Sequence, residues 1–281
     1  MNDDGPGGHE VVRTRGGALA IRSLAAGEIM HPGVGPQVEA EELYVRQSRL
    51  GDRLRQSLGP LVLYDVGLGA GSNALAARAV SEAAPAGAAR LQLVSFERDL
   101  GAFELALQQG APFALGDDDT GDNAIAARAL LSCGRHETAR TSWRLERGDL
   151  LEALARPHLQ DAPADIVYWD PFSPRANPDL WTVAAFAAVR RCAGPRCTLF
   201  TYSASTATRV AMLLGGWAVG VGAAIGSKDS TTAAAICPED LASPLDVAWL
   251  RRLDRPFAPL PADAPPDAAA RAAAAPQFQR R

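Results

Sequence analysis

Four acids stand where an α/β chain would bring reactive groups to one edge of a sheet: Asp65, Glu97, Asp149 and Asp170. Asp65 opens the run Asp65-x-Gly67-x-Gly69-x-Gly71, which closes the apolar, β-branched stretch from Leu61. Glycines let the backbone turn sharply there and come close to a ligand. The alanine-rich helix pattern behind the turn aims its free N–H groups and positive dipole end at that ligand. The spacing is not the G-x-G-x-x-G of dinucleotide binders. An acid in the turn repels a pyrophosphate but suits an ammonium. S-adenosyl-L-methionine carries an ammonium and a sulfonium and no phosphate, so Asp65, Gly67, Gly69 and Gly71 are expected to bind it. The plainer alternative is a tight strand-to-helix connection.

Glu97 follows the glycines at about the separation where an acid meets ribose hydroxyls in nucleoside-binding α/β folds. Asp149 is placed to accept from an adenine amino group, or else to cap the helix that begins at Leu150. A single acid at a strand end is ordinarily a solvated boundary; four beside a glycine turn make a constellation.

The second chemical motif is Asp170-Pro-Phe-Ser-Pro174, after the apolar run Ile166-Val-Tyr-Trp169. Proline fixes φ and removes a donor, so the loop is stiff and its carbonyls point outward. A carboxylate beside a fixed carbonyl holds an amine, aims its lone pair at a methyl carbon and takes the released proton. Positioning of this kind supplies part of a transfer barrier. Asp170 is therefore the expected catalytic residue, with Pro171 and Phe172 against a planar substrate. The alternative is a rigid loop without chemistry. Asn177 reads as a turn or cap, Trp181 as packing, and His31 and His136 as surface or loop residues.

These groups need a frame. Val11–Arg15 and Leu19–Ser23 read as short strands around Gly16-Gly17, and Glu39–Leu50 as a helix. Strands follow at Leu61, Leu91–Glu97, Ser142–Arg147, Ala164–Asp170 and Cys197–Tyr202. Helices are expected at Asp99–Gln109, Ala124–Ser132, Trp181–Cys192 and Thr206–Leu214, the second after the acidic loop Gly116–Asp122. Trp217–Ile225 and Thr231–Cys237 form a hairpin across Gly226–Ser230. The fold class is α/β: a three-layer, Rossmann-like class I methyltransferase fold, mostly parallel, ending in an antiparallel hairpin. Ligands bind such sheets at the carboxyl ends of the strands. The division expected is 1–10 disordered, 11–50 a substrate-side segment, 51–253 the cofactor-binding domain and 254–281 a flexible Pro/Ala-rich tail.

The sequence resembles the methyltransferase domain of the bifunctional bacterial tRNA 5-methylaminomethyl-2-thiouridine biosynthesis family. The matching pieces are Asp65–Asn73, Ser95-Phe-Glu97, Gly148-Asp149 and Thr201-Tyr-Ser203. Most specific is Asp170-Pro-Phe-Ser-Pro-Arg-Ala-Asn-Pro-Asp-Leu-Trp181, similar to an Asp-x-Phe-x-Pro-x-x-Asn-Pro-x-x-Trp signature. The resemblance implies methyl transfer from S-adenosyl-L-methionine to the aminomethyl nitrogen of a tRNA wobble uridine. It implies Asn73 at the cofactor, Tyr44 at the substrate, and Asp170 holding the amine. No flavin-binding oxidase domain follows in this sequence, so a separate oxidase partner would supply the aminomethyl group. The family's basic loop is replaced by Gly226–Thr232, leaving Arg46, Arg49, Arg53 and Arg175 to grip RNA. A small-molecule amine substrate and a non-catalytic nucleoside-binding module are the competing readings.

Composition sets the bounds. The 281 residues are 47% hydrophobic and 21% charged, with a formal net charge of −4. That balance argues against non-specific coating of nucleic acid but permits a local arginine patch. Cys133, Cys192, Cys197 and Cys237 match no zinc spacing, and no metal is expected. They read as reduced, buried thiols. Without a signal-peptide core or a membrane-length apolar run, a cytoplasmic protein is expected.

Overall fold

Strand chemistry decides most of the architecture. The computed structural model describes residues 8–14, 16–116, 121–226, 229–255 and 258–279. A small antiparallel sheet comes first: β1 (His9–Arg13), β2 (Leu19–Ser23) and β3 (Glu28–Ile29). The main sheet holds β4 (Leu61–Val66), β5 (Leu91–Glu97), β6 (Arg135–Glu137), β7 (Thr141–Arg147), β8 (Ala164–Trp169), β9 (Ala193–Thr201), β10 (Ala218–Gly222) and β11 (Thr231–Ala235). Its order is β10-β11-β9-β8-β4-β5-β7-β6. Five strands, β7 to β9 across the middle, run parallel; β6, β10 and β11 pair antiparallel. All six residues of β4 are buried, as a continuous apolar run in a sheet covered on both faces should be. One core lies on each face, around Phe103 and Trp143 on one side and Trp169 and Phe186 on the other. This is the three-layer, Rossmann-like class I arrangement expected.

Both neighbours of β4 run parallel to it, β5 on one side and β8 on the other. The chain reverses direction of progress there, and the loops after β4 and β8 diverge around a crevice. They also meet closely. Asp170 N–H donates to the Val66 carbonyl at 2.9 Å, and a Cβ on Gly67, whose φ is +89°, would lie 2.7 Å from the Asp170 carbonyl. Only glycine fits that approach.

The first strand begins at His9, so part of the segment expected to lack structure is sheet; residues 1–7 and Arg15 lie outside the described residues. So do residues 117–120 of the acidic loop and Ser227 and Lys228 of the hairpin turn. The single helix expected over Glu39–Leu50 is not formed. Pro36–Glu39 continues as a π-helix over Ala40–Arg46, Arg49 takes φ +54°, and a new helix runs Leu50–Gln56. One left-handed residue ends the register and redirects the chain.

The C-terminal segment is also a correction. Residues 258–279 are docked rather than a loose tail. Asp263 caps the helix Val183–Arg191, its two carboxylate oxygens accepting from Val183 N and Ala184 N at 2.9 and 3.0 Å. Ala268 and Ala272 are fully buried. The Gln277 amide accepts from Val219 N (2.7 Å) and donates to Val219 O (3.0 Å), along the outer side of β10. Beside it Leu245 N also donates to Val219 O, and Val221 N to Ser243 O. Alanine packs closely at little entropic cost, and composition alone does not distinguish that from disorder.

Among the cysteines, Cys192 and Cys197 are buried and Cys133 is exposed, against expectation; all four are free thiols. Among the described residues no cluster of His, Cys, Asp and Glu has metal-holding geometry, and no helix is long and apolar enough to cross a membrane.

Candidate active site

The carboxyl ends of β4, β5, β7 and β8 surround a cavity of about 640 Å³. Of the residues singled out in the sequence, Gly67, Gly69, Glu97, Asp149, Asp170, Pro171 and Phe172 line it. The small sheet forms its other wall through Glu28, Met30 and His31.

The turn after β4 is held by Glu97. Its Oε2 accepts from Gly69 N at 3.0 Å, and its Oε1 from Arg98 N and Asp99 N at 2.7 and 3.0 Å. Burial pushes this carboxyl up, while those three amides pull it down. Oε1 is thereby filled, and Oε2, with one bond, keeps acceptor capacity. Asp149 is the cap of Leu150–Leu154, Oδ1 accepting from Leu151 N and Glu152 N. The capping alternative is therefore realised, on a residue that also faces the cavity.

Asp65 departs from expectation. It is fully buried within β4 and is not part of the cavity wall. Its Oδ2 accepts from Ser95 Oγ at 2.8 Å, and Trp143 Nε1 donates to the same hydroxyl at 3.0 Å. Burial raises its carboxyl to about 7, against the Ser95 hydrogen bond. A side chain in the strand interior points into the sheet's packing, so Asp65 braces the turn without reaching an ammonium. Gly71 likewise stands off the cavity: with φ +87° it caps Ser72–Glu82, and a Cβ there would strike the Phe103 ring at 2.5 Å.

Asn73 and Tyr44 come to the site through Asp170. Asn73 Nδ2 donates to Asp170 Oδ2 at 2.7 Å. Tyr44 is completely buried, and burial, then the charge of Asp170, push its phenol well above its ordinary range. The Tyr44 hydroxyl and Asn73 Oδ1 are buried without a partner in hydrogen-bond geometry. Burial raises Asp170 to about 6, opposed by His31, Tyr44 and Asn73 and reinforced by Glu39. A carboxyl poised near neutrality beside unsatisfied polar atoms is equipped to exchange a proton with a ligand.

The carbonyls of the Asp170–Pro174 loop are not open acceptors, as expected, but braces. Tyr202 O–H donates to the Pro171 carbonyl at 3.0 Å and Trp181 Nε1 to that of Phe172 at 2.8 Å. Glu28 on β3 accepts from Ser173 N at 3.0 Å and from the Ser173 hydroxyl. Trp181 is a packing residue, as expected, against Phe186 and Tyr202.

Four site residues were not legible in advance: Glu28, His31, Arg98 and Tyr202. His31 is the sharpest correction. Its ring is only 11% exposed, with Nδ1 3.5 Å from Glu39 and Nε2 3.7 Å from Asp170. A His-Pro-Gly start to a loop signals a turn and nothing about which acids it will meet. Of the arginines, Arg53 is misplaced by expectation. It donates to Thr198 Oγ1 and the Asp165 carbonyl, both at 2.9 Å, at the opposite edge of the sheet. Arg46 and Arg49 pair with Glu42 and Asp52. Arg175 is largely exposed, 3.5 Å from Glu28, and Arg98 lines the cavity itself.

The donor set fits S-adenosyl-L-methionine: positive-φ glycines without side chains beneath it, Glu97 and Asp149 with acceptor capacity, and a wall richer in carboxylates than in cations. Residues 126–236 match the S-adenosyl-L-methionine-dependent methyltransferase family. The chain is an enzyme of that class. More particularly, it is MnmC-like. It is 30% identical over 201 residues to the tRNA 5-methylaminomethyl-2-thiouridine biosynthesis bifunctional protein MnmC of Burkholderia mallei (strain SAVP1), covering 68% of this chain and 30% of that one. The protein of the same name from Burkholderia thailandensis is 29% identical over 210 residues, with 68% and 30% covered. This chain thus spans 30% of the length of these curated relatives. The crystal structure of MnmC2 from Aquifex aeolicus superposes with a TM-score of 0.70 at 22% identity, covering 99% of this chain and 88% of that one, and establishes the shared fold.

Proposed function

We propose that this methyltransferase acts on nitrogen, methylating the aminomethyl group of a modified wobble uridine in tRNA. The observation that carries the reading is Asp170: a buried carboxylate on the cavity wall, aimed by Asn73 and held on a braced loop. The name of the MnmC relatives, whose product carries a methylaminomethyl group, supports the substrate.

Glu97 would hold ribose hydroxyls and Asp149 the adenine end, with the Gly67–Gly69 backbone beneath. S-adenosyl-L-methionine supplies an electrophilic methyl group on sulfonium. Asp170 would accept one N–H of the amine, directing its lone pair, and take the surplus proton once the nitrogen has a fourth bond. Phe172 offers a face to the base. In this reading the protein works in the cytoplasm, an oxidase partner supplies the amine, and Arg175 and Arg98 meet RNA.

A second reading, a free cationic amine, is favoured by the carboxylate-rich wall and by the three arginines held in protein contacts. The test is methylation in vitro. Transfer RNA bearing aminomethyl-uridine should be methylated and unmodified tRNA not, with binding that weakens steeply in salt. Turnover of a small amine alone, insensitive to salt, would replace the first reading by the second.

A further inference from the structure

His31 occupies a backbone conformation that its residue type resists. Its φ of +52° lies in the left-handed region, where glycine and asparagine are at ease and other residues are strained. Proline follows it, which stiffens the turn further. Residues held this way persist where surrounding structure requires the side chain, and they gather at functional sites. Here the strained backbone sets an imidazole on the cavity wall between two carboxylates on different elements. Nδ1 lies 3.5 Å from Glu39 Oε2 and Nε2 3.7 Å from Asp170 Oδ2, with all three side chains about nine-tenths buried.

We propose that His31 is a positioning residue that stands between Glu39 and Asp170 as an imidazolium, keeping the Asp170 carboxylate charged and turned toward the reacting amine. Two carboxylates in one dry pocket repel each other, and a cation between them removes that penalty. A neutral ring would leave both negative charges uncompensated in a low dielectric. Asn73 fixes Asp170 by a hydrogen bond but brings no charge. Among the described residues, Tyr44 on the π-helix, Tyr202 after β9 and Asp65 on β4 also interact with Asp170, and Glu28 on β3 and Glu97 on β5 line the same cavity. None of them is a cation. The inference rests on Asp170 being the group that holds the amine.

Two measurements test it. The first needs no substrate: nitrogen NMR of the purified, histidine-labelled protein, which has four histidines, with the His31 signal assigned by its loss in His31→Asn. An imidazolium signature at neutral pH is expected, converting to a neutral ring in the Glu39→Gln/Asp170→Asn double variant. A neutral ring in the unaltered protein overturns the proposal, whatever the substrate proves to be. The second is activity of His31→Asn on whichever amine the enzyme methylates. Its melting temperature should hold or rise, because asparagine relaxes the left-handed backbone, and cofactor binding should stay within about twofold. Turnover should fall about tenfold, and the acidic limb of kcat/KM should move to higher pH as Asp170 loses its cation. An unmoved limb, or a variant that simply unfolds at lower temperature, counts against a positioning role. Failure of modified tRNA as substrate would defeat the tRNA reading and leave the NMR result standing.

Discussion

Strand β8 has a carboxylate at each end, and the two ends are built differently. Near its start, Asp165 is tied into the sheet: Oδ2 accepts from Val62 N at 2.9 Å, and its backbone carbonyl accepts from Arg53, which also reaches Thr198. Just past its other end, Asp170 accepts from Asn73 and faces the Tyr44 hydroxyl, while Asn73 Oδ1 nearby is buried without a partner. Buried polar groups are ordinarily paired, since leaving one unmade costs about 1–3 kcal/mol. The start of the strand follows that rule and the far end breaks it. At the far end the open acceptor lies beside the cavity wall, where a bound ligand can complete it.

The largest effect that sharpens this contrast is at Asp170. Asp170→Ala should lower turnover by roughly a hundredfold while cofactor affinity by calorimetry stays nearly constant. A variant that methylates at the normal rate would reduce Asp170 to a loop residue. Next is Glu97→Ala, which should weaken S-adenosyl-L-methionine binding by about 1–3 kcal/mol through loss of a charged acceptor. Unchanged calorimetric affinity would mean that Glu97 only braces Gly69.

At the closed end, Arg53→Ala should cost about 1–3 kcal/mol of stability in denaturant titrations and leave tRNA affinity alone. A loss of RNA binding without a loss of stability would reverse the assignment of the two edges. The smallest effect concerns Asp65. Because burial raises its carboxyl to about 7, the folded state keeps a proton that the unfolded chain has lost. That stabilisation is complete below about pH 4 and is lost as pH climbs through about 7. Asp65→Asn should therefore gain melting temperature relative to the parent as pH rises from 5 to about 8. Parallel curves would show that the carboxyl ionises as freely as in water.

The same contrast explains what the sequence could disclose. Leu91–Glu97 is a strand to the residue, because mostly buried positions on a parallel strand leave a short, predominantly apolar run. The glycine turn and the Asp170 loop are local patterns and were equally legible. What could not be read is pairing across distance. That Asp65 meets Ser95, or His31 meets Glu39 and Asp170, depends on strand register and on a left-handed backbone, neither of which has a composition. Arg53 was misassigned for the same reason: a helix periodicity does not say which edge of a later sheet it will cover. The break at Arg49 falls on a residue type that does not announce a left-handed turn, and the alanine helix offers few bulky apolar side chains to announce its docking.

The docked C-terminal segment has a consequence for how molecules of this protein meet one another. A sheet that is not closed into a barrel ends in strands with unused donors and acceptors, and such rows template association with other chains. Here β10 is that strand, yet Val219 and Val221 spend their outward groups on Leu245, Ser243 and the Gln277 amide. The opposite margin is β6, only three residues long and reading Arg-His-Glu. One border of the sheet is sealed by its own chain, and the other is short and charged. The polypeptide beyond the sheet thus acts as a selvedge, taking up backbone groups that the border strand would otherwise present.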